Sequence, residues 1–235
     1  MSDLKIWKAI FEVRFPASAA LFDNRGKVAA KWQWTSDLSE WMIDAHQVIV
    51  HNKANTTYLR AGFKNLVVVM ELPANYATFA SQALEFSAWT LDTLNIKKVE
   101  RIGLRLLQVS ERRHFKLLVT QMRKRLFCLT DDDWEVIGGP PADMAVPLTL
   151  SLGEYTANFS LGPMEKEQLI PYFESKEAIE KLPNVALFLD FDLYKDAQPD
   201  KFDISRQILD DHLKSGGERI LDLSRRFVDK FGGFE

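Results

Sequence analysis

Thr56-Thr57-Tyr58-Leu59-Arg60-Ala61-Gly62-Phe63 and Leu66-Val67-Val68-Val69-Met70-Glu71-Leu72, separated by Lys64-Asn65, read as two strands joined by a tight turn. The second run is β-branched and apolar on both faces, which suits a strand in the interior of a sheet. Upstream, Phe11, Val13 and Phe15 alternate with Glu12 and Arg14, the pattern of a half-buried strand, and Pro16 closes it. Asp23-Asn24-Arg25-Gly26 reads as a turn leading into a strand over 28–34, and a further strand is expected over 45–50. Downstream, Asn75 suits the N-cap of a helix running to about Leu94, with Phe79, Ala83, Phe86 and Leu94 on one side.

Further strands and helices follow. Residues 98–110 return to strand, and Ser110 suits the cap of a helix over about 111–126, where Phe115, Leu118, Val119, Met122 and Leu126 keep helical spacing. Strands are expected near 146–152, 155–161 and 185–194, while Pro171 and Pro183 limit any helix over 163–183. Residues 204–231 spell a long amphipathic helix in which Gly216-Gly217 marks a kink or a close backbone approach. Hairpins dominate and regular strand–helix–strand alternation is missing. The order predicts an α+β fold with a largely antiparallel sheet, helices packed on one face and a long C-terminal helix; two ferredoxin-like halves are compatible with it. Asp131-Asp132-Asp133 and Gly138-Gly139-Pro140-Pro141 mark a seam near 130–145 inside what reads as one domain over 1–235.

Composition narrows the class. Of 235 residues, 46% are hydrophobic and 27% charged, with a net charge of −3, which excludes disordered and fibrous chains and argues against a surface built wholly for polyanions. The single cysteine, Cys128, excludes an intramolecular disulfide, and its neighbours Leu126, Phe127 and Leu129 read as a buried, inert setting. No apolar run approaches the ~18 residues of a membrane span. Charges at Asp3, Lys5, Lys8 and Glu12 break any signal-like apolar stretch, so the reading is a cytoplasmic protein without a membrane partner.

The common catalytic motifs are missing. Gly26-Lys27 is followed by Val28, which breaks a phosphate-cradling loop, and there is no Gly-x-Ser-x-Gly elbow. One cysteine and four histidines leave little for zinc, and no metal site is expected.

Three constellations remain. First, Glu12 and Arg14, then Arg101, Gly103 and Arg105, then Asp190, Asp192 and Tyr194 each share one face of a strand. Neighbouring strands would make of them either cross-strand ion pairs or a ligand floor, with arginines for phosphate and the two aspartates for magnesium. Gly103 removes a side chain where a ligand or another backbone approaches. Second, Arg112, Arg113, Lys116, Arg123 and Lys124 lie opposite the apolar stripe of the second helix, a solvated face or a site for an anionic partner such as nucleic acid. Third, Trp32, Trp34 and Trp41 are candidates for an interface anchor.

Phe11-Glu12-Val13-Arg14-Phe15, Glu100-Arg101-Ile102-Gly103-Leu104-Arg105 and Leu189-Asp190-Phe191-Asp192, in that order, resemble a sporadically distributed bacterial family of unknown function whose signature is Ile-Gly-Leu-Arg followed by Tyr-Ile-Asn. Here Leu106-Leu107-Gln108 stands in place of the second half. The resemblance implies no activity; the family's patchy distribution implies a defence-related or mobile gene context. The sequence thus leads to a non-enzymatic binding protein, without a cofactor, that holds a protein partner or a second copy of itself. The alternative is an enzyme or sensor for a phosphorylated small molecule or nucleic acid, acting with magnesium on the Arg/Asp face.

Overall fold

Strict alternation from Ala9 to Phe15 sets one side of the first strand into the core. Ala9, Phe11, Val13 and Phe15 are all buried, while Glu12 and Arg14 face away. The computed structural model describes residues 4–33, 38–197 and 201–231. In chain order the elements are β1 (Lys5–Arg14), α1 (Ala20–Trp32), β2 (Leu38–Ile43), β3 (Gln47–Asn52), β4 (Thr57–Gly62), β5 (Asn65–Glu71), α2 (Tyr76–Thr93), β6 (Lys98–Val99), β7 (Arg101–Glu111), α3 (Phe115–Leu126), α4 (Asp131–Val136), β8 (Val146–Leu152), β9 (Tyr155–Glu165), α5 (Lys166–Leu169), α6 (Lys176–Lys181), β10 (Val185–Asp196), β11 (Phe202–Asp203) and α7 (Arg206–Phe231).

Nine strands form one antiparallel sheet in the order β2-β3-β4-β5-β1-β7-β10-β9-β8, and β6 pairs with β11 apart from it. The two halves share a plan. A lead strand (β1 or β7) is followed by helix, meander and a closing helix (α2 or α7), and the last meander strand returns beside the lead strand. This differs from a ferredoxin-like β-α-β-β-α-β unit: no helix interrupts β2–β5 in the first half, and in the second, where α5 and α6 do separate β9 from β10, the last strand β10 lies between β7 and β9. The 130–145 seam is the link that carries α4 between α3 and β8.

Leu21, Val28, Ala29 and Trp32 of α1, Phe79, Ala83 and Phe86 of α2, Leu118 and Met122 of α3, and Leu209, Leu213 and Ile220 of α7 share one core with one face of the sheet. Asn75 caps α2 as the sequence suggests, its side chain accepting from the Thr78 N–H at 2.9 Å. The 28–34 segment is a correction: through Trp32 it is helix, not strand, and Asp23–Gly26 is helical too. The buried positions 21, 28, 29 and 32 keep a 3.6-residue period that overrides the turn-like Asp-Asn-Arg-Gly.

On the opposite face, α5, α6 and the turn between them cover one end of the sheet. Leu169, Phe173 and Ala178 pack there on Leu107, Val109 and Phe188. A buried ion pair pins this cover. Lys8 on β1 faces Glu71 on β5 at 3.0 Å, with side chains 7% and 1% exposed. Glu71 also accepts the backbone N–H groups of Glu174 and Ser175, each at 2.9 Å, and Lys8 donates to the Tyr172 carbonyl at 3.2 Å.

The glycine pair in α7 allows close approach. The Tyr76 hydroxyl donates to the Leu213 carbonyl at 2.5 Å, and a Cβ on Gly217 would fall 2.2–2.3 Å from the Tyr76 ring. Gly217→Ala is therefore expected to lower stability by about 1–3 kcal/mol in urea unfolding, despite alanine's better helix propensity. A gain in stability contradicts this packing.

Candidate functional site

Neighbouring places for β1, β7 and β10 put the predicted polar residues on one open face of the sheet. In register, Arg105 lies opposite Asp192, Gly103 opposite Tyr194 and Arg101 opposite Asp196. The shorter contacts of the arginines run diagonally; straight across, Arg101 Nε lies only within 3.9 Å of an Asp196 oxygen. Arg105 reaches one rung along to grip Asp190 with two bonds, Nε to Oδ1 at 2.7 Å and an amino group to Oδ2 at 2.5 Å. Arg101 reaches over Tyr194, its guanidinium carbon 3.7 Å from the ring centroid, to Asp192 at 3.1 Å. Gly103 lies beside that reach. An added Cβ there would sit 3.7 Å from Arg101 Nε and 3.8 Å from an Asp192 oxygen, ordinary contact distances, so alanine would fit and only a longer side chain would crowd the bridge. Arg14 binds Glu12 at 2.7 Å, and Asn65 donates to the other Glu12 oxygen at 2.9 Å.

These contacts set the electrostatics. Burial raises the Asp192 pKa, and the pull of Arg101 and Arg105 does not fully offset it while Asp190 and Glu12 stand close. Burial acts in the same sense on Glu12, but hydrogen bonds from Arg14 and Asn65 win and its pKa falls below the usual value. The hydrogen bonds that Arg105 donates to Asp190 raise the Arg105 pKa. A shallow cleft of about 430 Å³ adjoins Arg105, Asp190 and Asp192, with Thr149, Asn158 and Ser160 on its other side. In this arrangement the arginines and aspartates already pair with one another, though the buried Arg101 Nε makes no hydrogen bond. Among the described residues no group of three or more His, Cys, Asp or Glu is placed to hold a metal ion.

The basic segment is redrawn. Strand β7 runs on to Glu111 and α3 starts at Phe115, so Arg112 and Arg113 precede the helix. Ser110 is a buried strand residue that accepts from Arg112 at 2.8 Å rather than a cap. Arg123 binds Asp131 at 3.2 Å and lies over the Trp134 ring at 5.8 Å, docking α4. Lys116 and Lys124 are exposed on α3. Cys128 is exposed rather than buried, because the link from α3 to α4 leaves the body of the protein, with Phe127 and Leu129 exposed beside it.

The tryptophans separate. Trp32 is 4% exposed and packs edge-on against Phe86 and Trp89, so it is a core residue and not an interface anchor. Trp34 lies outside the described residues. Trp41 is 50% exposed in the middle of β2, the outermost strand of the sheet, and its neighbours Met42 and Ile43 are 47% and 36% exposed. The Arg25 guanidinium of α1 lies over the exposed Phe22 ring at 5.6 Å and donates to the Asp44 carbonyl at the end of this strand at 2.8 Å.

Among the buried polar groups that sequence reasoning missed, two bear on stability. One is the Lys8–Glu71 pair, signalled only by charges at the margins of apolar runs. The other is His212, buried in α7 against Phe11 and Tyr155 with ring centroids at 6.0 and 5.4 Å. Neither of its ring nitrogens has a hydrogen-bond partner among the described residues. No helix among them is long and apolar enough to cross a membrane. No family model and no curated protein matches the chain, so the resemblance drawn from its three motif segments rests on those segments alone.

Proposed function

We propose that this chain is an interaction protein that takes an extended strand of a partner chain, another protein or a second copy, along the open edge of β2. The observation that carries this reading is the exposed Trp41-Met42-Ile43 run on an edge strand. An edge strand offers unpaired N–H and C=O groups, and proteins usually blunt it with lysine, proline or a bulge. The opposite edge, β8, has such protection in Pro147, with polar Thr149 and Ser151 beyond it. In Leu38–Ile43 there is neither lysine nor proline; its one charge, Glu40, and its one register irregularity, between Leu38 and Glu40, both lie before the Trp41-Met42-Ile43 run. Main-chain pairing would supply affinity. Trp41 and Ile43, opposite the buried Val50 and Val48, would supply an apolar anchor on the helix-bearing side.

The Arg/Asp face supports an enzyme or phosphate sensor less well, since its ion pairs would have to break before either charge met a ligand. The test is native mass spectrometry of the chain isolated from its own source, wild type against Trp41→Ala. The expected result is a stoichiometric complex whose affinity falls at least ~30-fold in the variant, as for a central interface tryptophan. Stability should change by less than about 1 kcal/mol, because the side chain is half exposed. A complex that survives Trp41→Ala undiminished sinks the proposal.

A further inference from the structure

Four arginines project from strands onto the open face of the sheet, and three have carboxylate partners: Arg14 with Glu12, Arg101 with Asp192 and Arg105 with Asp190. The fourth, Arg60 of β4, has no carboxylate partner among the described residues; its buried Nε makes no hydrogen bond, as is also true of Arg101, so what sets Arg60 apart is its unpaired charge.

Arg60 lines a cleft of about 260 Å³ where the β2–β3 and β4–β5 turns meet the end of β1. Arg14, Lys64 and His46 line it as well, and no carboxylate does. The nearest acids are engaged elsewhere. Glu12 holds Arg14 and Asn65, and Asp44 accepts the backbone N–H groups of His46 at 2.7 Å and Gln47 at 3.0 Å. The Phe63 ring steadies the other two walls, with Lys64 Nζ 5.6 Å from its centroid and the His46 ring at 5.9 Å.

We infer that this cleft binds the phosphate group of a phosphate monoester, with Arg60 as the main donor and Lys64 as a second positive charge. The guanidinium fork matches phosphate oxygens in pairs, and a tetrahedral oxyanion supplies the counter-charge that Arg60 lacks among the described residues. The space suits a phosphoryl group with a small attachment and falls short of the ~300–1,000 Å³ typical of sites for larger ligands. Nothing in this site depends on the β2 edge.

The test is a titration with inorganic phosphate at constant ionic strength, followed by NMR at the Arg60 Nε–H and the Lys64 and Asn65 amides, with acetate as a second arm. Saturable shifts with phosphate are expected. The dissociation constant should rise roughly 10- to 100-fold in Arg60→Gln, the loss of a charge-assisted hydrogen bond, and several-fold in the exposed Lys64→Gln. It should not change in Lys53→Gln, which removes an equal charge at the other end of β4. Shifts that never saturate, an equal response to acetate, or an Arg60→Gln variant that binds as wild type would each overturn the inference.

Discussion

Glu71→Ala is expected to destabilise the fold by about 3–5 kcal/mol, the usual penalty for removing one partner of a buried ion pair. Three losses coincide. Lys8 keeps only Glu174 and a carbonyl as partners, the Glu174 and Ser175 amides lose their acceptor, and the α5–α6 cover loses its tie to the centre of the sheet. Lys8→Met combined with Glu71→Leu separates these terms. Paired replacement by apolar residues often leaves stability unchanged, but here two N–H groups would stay unsatisfied. The double variant should therefore recover only part of the loss. Urea unfolding gives the magnitude, and hydrogen exchange at Glu174 and Ser175 should quicken selectively. A change under 1 kcal/mol, or an unaltered exchange rate there, would remove the pair from its structural role.

Acid should weaken the protein first through His212. Burial in α7, with Lys195 nearby and Glu154 a weaker counterweight, lowers the His212 pKa from 6.5 to about 4. The unfolded chain thus takes up a proton between those values that the folded chain refuses. Stability then falls as pH drops from about 6.5 to about 4, by about 3 kcal/mol in all. Glu71 adds a second loss at lower pH. Burial opposes its ionisation, but hydrogen bonds from Ser175, Glu174 and Lys8 outweigh it and hold its pKa below 4.5, so its contribution fades only below that value. His212→Phe keeps a ring between Phe11 and Tyr155 and should flatten the upper window while leaving the lower one. An equal slope in both proteins between pH 6.5 and 4 would show that another group is responsible.

Strands with one wet and one dry face were the legible part of this fold. Phe11-Glu12-Val13-Arg14-Phe15 declares its register in this way; the 56–72 hairpin was legible instead from an apolar run beside a turn, and Asn75 from its place before a helical stripe. Elements without such contrast were hidden. β2 shows no alternation because Ser39 to Ile43 are all exposed, and the end of β7 shows none because Leu107, Gln108, Val109 and Ser110 are all buried. That second run made Ser110 look like a cap and set α3 too early. In the Arg/Asp site the residues and their common face were readable from spacing. The diagonal reach of Arg101 over Tyr194 was not, because it depends on the register of β7 against β10, which only pairing across 91 positions defines. Lys8 and Glu71 escaped for the same reason.

Hydrogen exchange across Leu38–Ile43, measured on the isolated protein and on its native complex, tests the central claim most directly. If a partner strand pairs along β2, its amides should gain protection on association, and Trp41→Ala should abolish the gain together with the complex. A complex that forms while the Leu38–Ile43 amides exchange as fast as in the free chain would contradict the claim.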